Sequence, residues 1–121
     1  MRIASIVALL ALSGAPALAA MYPVSGKWGQ NASSDKGAID CAGKRVIGFN
    51  GDTRTDSKGG VPAYRNRSVT PEGSAQFKIV DEFTTGQISN GHTTFTLRKV
   101  DPDHIELNFQ PGGMLKLQRC K

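Results

Sequence analysis

The sequence predicts an all-β protein, either a single antiparallel up-and-down β-barrel or a sandwich, with about eight or nine short strands and one disulfide. After the N-terminal segment no window shows sustained helical periodicity, whereas alternation of apolar and polar residues is frequent. Turn-forming residues punctuate the chain about every ten residues, and 14 of the 121 residues are glycine. The length leaves room for one domain, which excludes multi-domain enzymes.

Residues 1–19 have the three-part layout of a secretory signal peptide. Arg2 gives a positive start, residues 3–12 are mostly apolar, and Ala17-Leu18-Ala19 is a small-x-small cleavage site. An apolar run of about ten residues is roughly half of what a membrane span requires. We therefore expect cleavage after Ala19. The remaining domain, residues 20–121, would be a periplasmic or secreted bacterial protein without a membrane span.

The two cysteines, Cys41 and Cys120, both lie in the expected mature domain. In an oxidising compartment an even pair forms one disulfide, and no Cys-x-x-Cys motif offers an alternative. Closing a loop of about 80 residues contributes at most about 4–5 kcal/mol to stability. The sequence therefore predicts a stabilising Cys41–Cys120 bond.

The strands follow the apolar alternation between successive turn signals. Each predicted strand is short, and the glycine-rich stretch 51–63 is left as a long loop. The predicted strands are 24–30, 37–41, 44–50, 63–70, 75–83, 86–90, 92–100, 104–109 and 114–120.

The Asn90-Gly91 turn would set the register of the strands on either side of it. A two-residue turn there would place Ile88 opposite Thr93. The apolar face is odd-numbered as far as Phe83 but even-numbered at Ile88. Since successive side chains of a strand face opposite sides, the sequence predicts a bulge or strand break near residues 84–86.

The next turn sets the register of the two strands that follow. A three-residue loop at 101–103 pairs Leu97 with Leu107, whereas a two-residue loop would place an apolar residue opposite a polar one. The longer loop also brings Arg98 beside Glu106 on the outer face, a favourable cross-strand charge pair. We therefore predict the three-residue loop.

The last turn and the barrel interior follow from the same reasoning. A three-residue loop at 111–113 pairs Phe109 with Leu115 and leaves Cys120 on the opposite face, at the rim of the barrel. A barrel of about 100 residues is filled by its own side chains. The predicted inward set is Trp28, Phe77, Ile79, Phe95, Leu97, Leu107, Phe109, Leu115 and Leu117.

A family resemblance begins at Gly26-Lys27-Trp28, which contains the only tryptophan of the chain. An initial strand with Gly-x-Trp resembles the start of lipocalins and related calycin barrels. In size the chain is closest to the small exported barrels that inhibit bacterial metalloproteases. The resemblance implies that Trp28 plugs the closed end of the barrel and that Arg119 packs across it. For the inhibitors it also implies that an N-terminal tail, here residues 20–24, contacts the protease.

The excess positive charge is concentrated in one part of the chain. Without Arg2 the mature domain has 14 basic and 10 acidic residues, and residues 44–67 hold the whole net charge of +4. One interpretation is an anionic partner at this segment, either a protein or an anionic glycan of the envelope. The other is a solvated polar loop. Export and few local aromatics argue against nucleic acid. The proposed patch is Lys44, Arg45, Arg54, Lys58, Arg65 and Arg67.

Catalytic and metal-binding patterns are scarce. Asp101-Pro102-Asp103 is first of all a turn sequence, and with His104 it lacks the further ligand that a metal site needs. The only other histidine, His92, also lies beside a turn. No nucleophile or phosphate-loop motif occurs. We therefore expect no catalytic residues, no metal and no cofactor.

These observations predict an exported, non-enzymatic and monomeric binding module. It would inhibit a secreted hydrolase or bind an anionic macromolecule. The alternative is a lipocalin-like carrier of a small apolar ligand inside the barrel, which requires an empty interior.

Overall fold

The structure, a computed structural model that describes residues 21–121, is an all-β barrel. Eight antiparallel strands follow one another around the barrel in chain order, and the last pairs with the first. The predicted fold class is confirmed, with closure selecting the barrel over the sandwich; the architecture is consistent with a calycin-like barrel. The strands are β1 (Gly26–Gln30), β2 (Val46–Asn50), β3 (Thr53–Asp56), β4 (Tyr64–Pro71), β5 (Gln76–Phe83), β6 (Gly91–Asp101), β7 (His104–Phe109) and β8 (Gly113–Arg119).

The apolar side chains of alternate residues meet inside the barrel. Of the predicted inward set, Phe77 and Phe109 are partly buried against the core, and the other members are buried. Closure also removes the exposed edges that an open sheet would leave. The buried apolar residues are Tyr22, Trp28, Ile47, Phe49, Tyr64, Ile79, Phe95, Leu97, Ile105, Leu107, Leu115 and Leu117.

The barrel has two different ends. The pocket end is formed by the four connections 31–45, 57–63, 84–90 and 110–112. The termini end is formed by the short turns after β2, β4 and β6, together with the start of β1 and the end of β8.

The connection between β5 and β6 confirms the predicted strand break but not the predicted hairpin. β5 ends at Phe83 and β6 begins at Gly91, so the predicted strand 86–90 is wrong. Ile79 pairs with Phe95, which keeps the odd-numbered apolar residues on one face. Phe83 pairs with Gly91, so residues 84–90 form the connection in place of the predicted two-residue turn.

The β6–β7 register is confirmed, but a different turn produces it. Leu97 pairs with Leu107, as predicted. Pairing continues as far as Asp101 opposite His104, so the turn itself has two residues. A register shift at Val100 supplies the additional residue. This bulge, and not a three-residue loop, therefore sets the pairing of Leu97 with Leu107.

The predicted β7–β8 register is wrong by two residues. Leu107 rather than Phe109 pairs with Leu115, and Phe109 lies opposite Gly113. The turn is shifted because Gly112 and Gly113 both adopt positive φ, at 138° and 86°. A shift of two residues keeps every side chain on its predicted face.

Two further strand predictions need correction. Residues 37–41 form no strand, and within them only Ile39 makes an isolated bridge, to Cys120. Conversely, the predicted loop 51–63 contains β3. The apolar pattern hides this strand because its buried residue is Arg54 rather than an aliphatic one.

The connection from β1 to β2 crosses the outer face of β8. The Gln118 side-chain amide donates hydrogen bonds to the carbonyls of Asp35 and Gly37, both at 2.8 Å. The predicted disulfide between Cys41 and Cys120 is present and links this connection to the end of β8. Both cysteines are half-buried, at the rim of the barrel. Within residues 21–121 no helix is long and apolar enough to cross a membrane.

Candidate functional site

A buried ion pair lies inside the barrel. Arg54 of β3 and Asp81 of β5 are 1% and 0% exposed, and Arg54 Nε donates to Asp81 Oδ2 at 2.6 Å. The other oxygen, Asp81 Oδ1, accepts a hydrogen bond of 3.2 Å from Asn66 Nδ2. Burying charge is costly unless it is paired and hydrogen-bonded, and both conditions are met at Asp81.

Aromatic rings enclose the guanidinium of Arg54. Its central carbon lies 3.9 Å from the ring centroid of Tyr64 and 4.9 Å from that of Phe95. Phe109 lies further away, at 5.7 Å. Stacking on the Tyr64 face and the bond to Asp81 together fix both the position and the plane of the guanidinium.

Tyr22 reaches the same ion pair from the termini end. Its backbone N–H donates to Gly51 O at 3.0 Å, and its ring packs edge-on against Phe49 at 4.9 Å. Its hydroxyl is buried near Arg54 and Asp81 but meets hydrogen-bond geometry with neither. Burial first, and then the negative charge of Asp81, raises the pKa of Tyr22 well above its ordinary value.

The position of Tyr22 bears on the N-terminal tail. The resemblance to protease inhibitors implies that residues 20–24 extend towards a partner. In the structure Tyr22 is 8% exposed, and Val24 packs against the core. Tyr22 and Val24 are therefore held by the barrel, whereas Met21 is 58% exposed. Residues 1–19, the predicted signal peptide, and Ala20 lie outside the described residues.

Arg54 also lines an open pocket of about 430 Å³ at the pocket end. Within residues 21–121, Nε is the only nitrogen of its side chain that donates a hydrogen bond. A group that enters the pocket would therefore meet a guanidinium whose terminal nitrogens make no hydrogen bond with the described residues. The other lining residues are Gln30, Arg45, Asp56, Lys58, Gly59, Tyr64, Thr93, Phe109, Gly112, Gly113, Met114 and Leu115.

A second ion pair borders the pocket. Arg45 donates from Nη2 to Asp56 Oδ2 at 2.6 Å and from Nε to Oδ1 at 3.0 Å. The Lys58 backbone N–H adds a hydrogen bond of 2.9 Å to Oδ1. Burial opposes ionisation of Asp56, but the bonds from Arg45 and Lys58 outweigh it and lower the pKa of this carboxyl. Asp56 therefore stays ionised and holds Arg45 at the pocket rim.

The six residues of the predicted basic patch are divided among several places. Arg54 is inside the barrel, so the expectation that it is exposed was wrong. Alternate residues of a strand face opposite sides, and Arg65 and Arg67 of β4 lie on the outer face. Arg65 lies 3.5 Å from Asp52 and Arg67 lies 3.2 Å from Glu82, both in exposed pairs. The pocket brings together Arg45, Arg54 and Lys58, whereas Lys44 is exposed and does not line it.

The residues that the family resemblance singled out lie together at the termini end. The guanidinium carbon of Arg119 lies 4.4 Å from the ring centroid of Trp28. Gly26 lies beside Arg119 and adopts a φ of 91°, a backbone conformation that favours glycine. Trp28 Nε1 donates to Ser25 O at 3.0 Å.

The Asp101–His104 turn serves a structural purpose. His104 Nδ1 lies 2.8 Å from Asp101 Oδ1, and Asp103 Oδ2 accepts the Gly37 N–H at 2.9 Å. The first contact lies within the turn, and the second fastens the β1–β2 connection to it. Among residues 21–121 no group of three or more histidine, cysteine, aspartate or glutamate side chains is placed to hold a metal ion.

The partners of Arg54 were not predicted from the sequence, although the sequence contains a signal for Asp81. Asp81 is odd-numbered in a strand whose neighbouring odd residues, Ile79 and Phe83, belong to the apolar face. The same parity argument that placed Ile79 inside therefore places a carboxylate inside. A buried carboxylate requires a buried cation, and the sequence offers no means of choosing Arg54 among the basic residues.

No family model, curated protein or solved structure matches the chain. The architecture, a closed eight-stranded antiparallel barrel, is consistent with the calycin-like type.

Proposed function

We propose that this protein is an exported, non-enzymatic barrel whose pocket end binds an anionic group of a macromolecular partner. The observation that carries the proposal is Arg54: its side chain is buried, its Nε is fixed by Asp81, and its terminal nitrogens are available to the pocket. Arg45 and Lys58 at the rim add positive charge that attracts anions.

The filled interior supports a binding module over a carrier of an apolar ligand. Trp28, Phe95 and Leu107 are each at most 1% exposed and occupy the space that such a ligand would need. The charged side chain of Arg54 lines the pocket, and such a lining is unsuited to an apolar molecule.

Exposed apolar residues at the pocket end favour a protein as the partner. Met114 lines the pocket and is 57% exposed, and Ile88, in connection 84–90, is 48% exposed. A protein surface that carries an acidic group would cover both, whereas a glycan would leave them in water. Inhibition of a secreted hydrolase is one form of this function, with the pocket end in place of the N-terminal segment as the contact.

Export is supported by the pattern of residues 1–19 and by the disulfide, which is typical of oxidising compartments. In that setting the partner would be another exported protein.

Capture by matched variants tests the proposal. The purified exported chain is immobilised as wild type, as a Lys58→Glu, Met114→Glu pocket-end variant, and as a Lys78→Glu control on the outer face of β5. Periplasmic and culture fractions are passed over each, and bound proteins are identified by mass spectrometry. We expect an acidic protein to be retained by the wild type and the control but not by the pocket-end variant. Equal retention by all three chains, or retention of no protein, would contradict the proposal.

A further inference from the structure

We infer that the group received by the pocket end is a carboxylate, and that it binds the terminal nitrogens of Arg54. This inference rests on the proposed function and names the chemistry of the same site. Its source in a protein partner is an acidic side chain or the carboxyl terminus of a chain.

The side chain of Arg54 is preorganised for binding an anion. A free arginine side chain loses much rotational freedom on binding an anion, and this cost lowers affinity. Arg54 is already immobile, because Asp81 holds Nε at 2.6 Å and the ring of Tyr64 stacks at 3.9 Å. A planar guanidinium with fixed orientation and available terminal N–H groups matches the planar, two-oxygen geometry of a carboxylate.

The charges of the side chains at the pocket favour a monoanion. Three cations reach the pocket, Arg45, Arg54 and Lys58, and two of them are already paired, with Asp56 and Asp81. About one positive charge is therefore left uncompensated, which a carboxylate monoanion neutralises. A phosphate dianion would leave surplus negative charge beside the buried Asp81, where charge is costly.

Apolar side chains surround the guanidinium of Arg54 at the pocket. Tyr64 and Phe109 line the pocket close to Arg54 and reduce the access of water to its guanidinium. Charge-assisted hydrogen bonds gain strength in such an environment. An exposed arginine such as Arg65, 69% exposed at its side chain, lacks this advantage.

NMR titration at constant ionic strength tests the inference with defined probes. The probes are acetate, N-acetyl-glutamate α-amide for a side-chain carboxylate, N-acetyl-alanyl-alanine for a carboxyl terminus, and inorganic phosphate. We expect the three carboxylates to shift the Arg54 side-chain signals and the Lys58 and Met114 amides in a saturable way. The tighter of the two peptide-like probes identifies the source. Equal or tighter binding of phosphate, or no saturable shift, would overturn the inference.

Variants separate recognition from folding. Arg54→Met alone leaves Asp81 buried without a partner, so it is combined with Asp81→Leu to give an apolar pair. We expect this double variant to fold and to bind the carboxylate probes at least tenfold more weakly, whereas an Arg98→Gln control on the outer face binds them as wild type does. Undiminished binding by the double variant would refute the role of Arg54. Should the double variant not fold, Lys58→Gln provides the second measurement. It should weaken binding about two- to fivefold, as expected for an exposed charge, and an unchanged affinity counts against the inference.

The outcomes distinguish this inference from the proposed function. Loss of the partner on pocket-end substitution without any carboxylate binding would contradict the inference alone. Carboxylate binding together with a partner that ignores the pocket end would contradict the proposed function alone.

Discussion

Arg119 lies over the ring of Trp28, its guanidinium carbon 4.4 Å from the ring centroid, and it also donates to Pro102 O at 2.9 Å. One side chain thereby joins β8, β1 and the β6–β7 turn at the termini end. Arg119 stabilises the termini end through a cation–π contact with Trp28, a hydrogen bond and burial of its aliphatic stem.

Arg119→Ala should therefore lower the free energy of unfolding by about 1–2 kcal/mol, the sum of a cation–π contact and a hydrogen bond. Chemical denaturation followed by Trp28 fluorescence measures it. Lys78→Ala, exposed on β5, is the control and should change stability little. A similar loss in both variants would mean that the Trp28 contact contributes nothing specific.

Replacing Arg54 alone should be far more damaging than replacing the whole ion pair. Arg54→Met leaves the buried carboxylate of Asp81 uncompensated and should cost about 3–5 kcal/mol, whereas Arg54→Met with Asp81→Leu should recover most of that loss. The two single variants and the double variant form a thermodynamic cycle, measured by urea unfolding. Additive losses would show that the two charges do not depend on each other.

Reduction of the Cys41–Cys120 bond should destabilise the barrel by about 2–5 kcal/mol, since the bond closes a loop of 79 residues in sequence. Hydrogen exchange should show the amides of residues 35–41 losing protection first, because this connection is held by the disulfide and by hydrogen bonds with Gln118, Asp103 and Arg119. A Cys41→Ser, Cys120→Ser variant should behave in the same way. Protection that survives reduction would assign the restraint to the hydrogen bonds alone.

Tyr22 should make the protein sensitive to alkali. Because the folded-state pKa of Tyr22 is raised above its ordinary value of 10.0, the folded state binds this proton more tightly than the unfolded state. The corresponding stability is present in full below pH 10.0 and is lost as pH rises above it. Tyr22→Phe should reduce the slope of unfolding free energy against pH in this range, and the difference between the two chains removes the contribution of lysines. Identical slopes would mean that the hydroxyl is accessible to solvent.

Much of the barrel could be predicted because its pattern is carried by apolar residues of constant parity. The pairing of Leu97 with Leu107 followed from matching faces, and it was correct although the turn was not. Parity determines the face of a residue but tolerates shifts of two, which is why Leu115 was placed opposite Phe109 instead of Leu107. The exact turn depended on the positive φ of two glycines, and composition alone does not specify that.

The candidate site was less predictable, because its central residue contradicts the rule that located the core. Arg54 was expected in an exposed basic segment, since charged residues are rarely buried. Only the opposing Asp81, on the inner face of another strand, makes its burial acceptable, and pairing between distant strands is not visible in local pattern. The same limit concealed β3, whose inward position is occupied by this arginine.

The seam between β1 and β8 has a consequence for how the chain is connected. Trp28 pairs with Arg119, and the Cys120 N–H donates to Lys27 O at 2.9 Å, so the first and last strands lie side by side. No strand is structurally the first. A circularly permuted chain, joined by a short linker between the start of β1 and the end of β8 and reopened within residues 84–90, would keep every strand neighbour that the barrel now has.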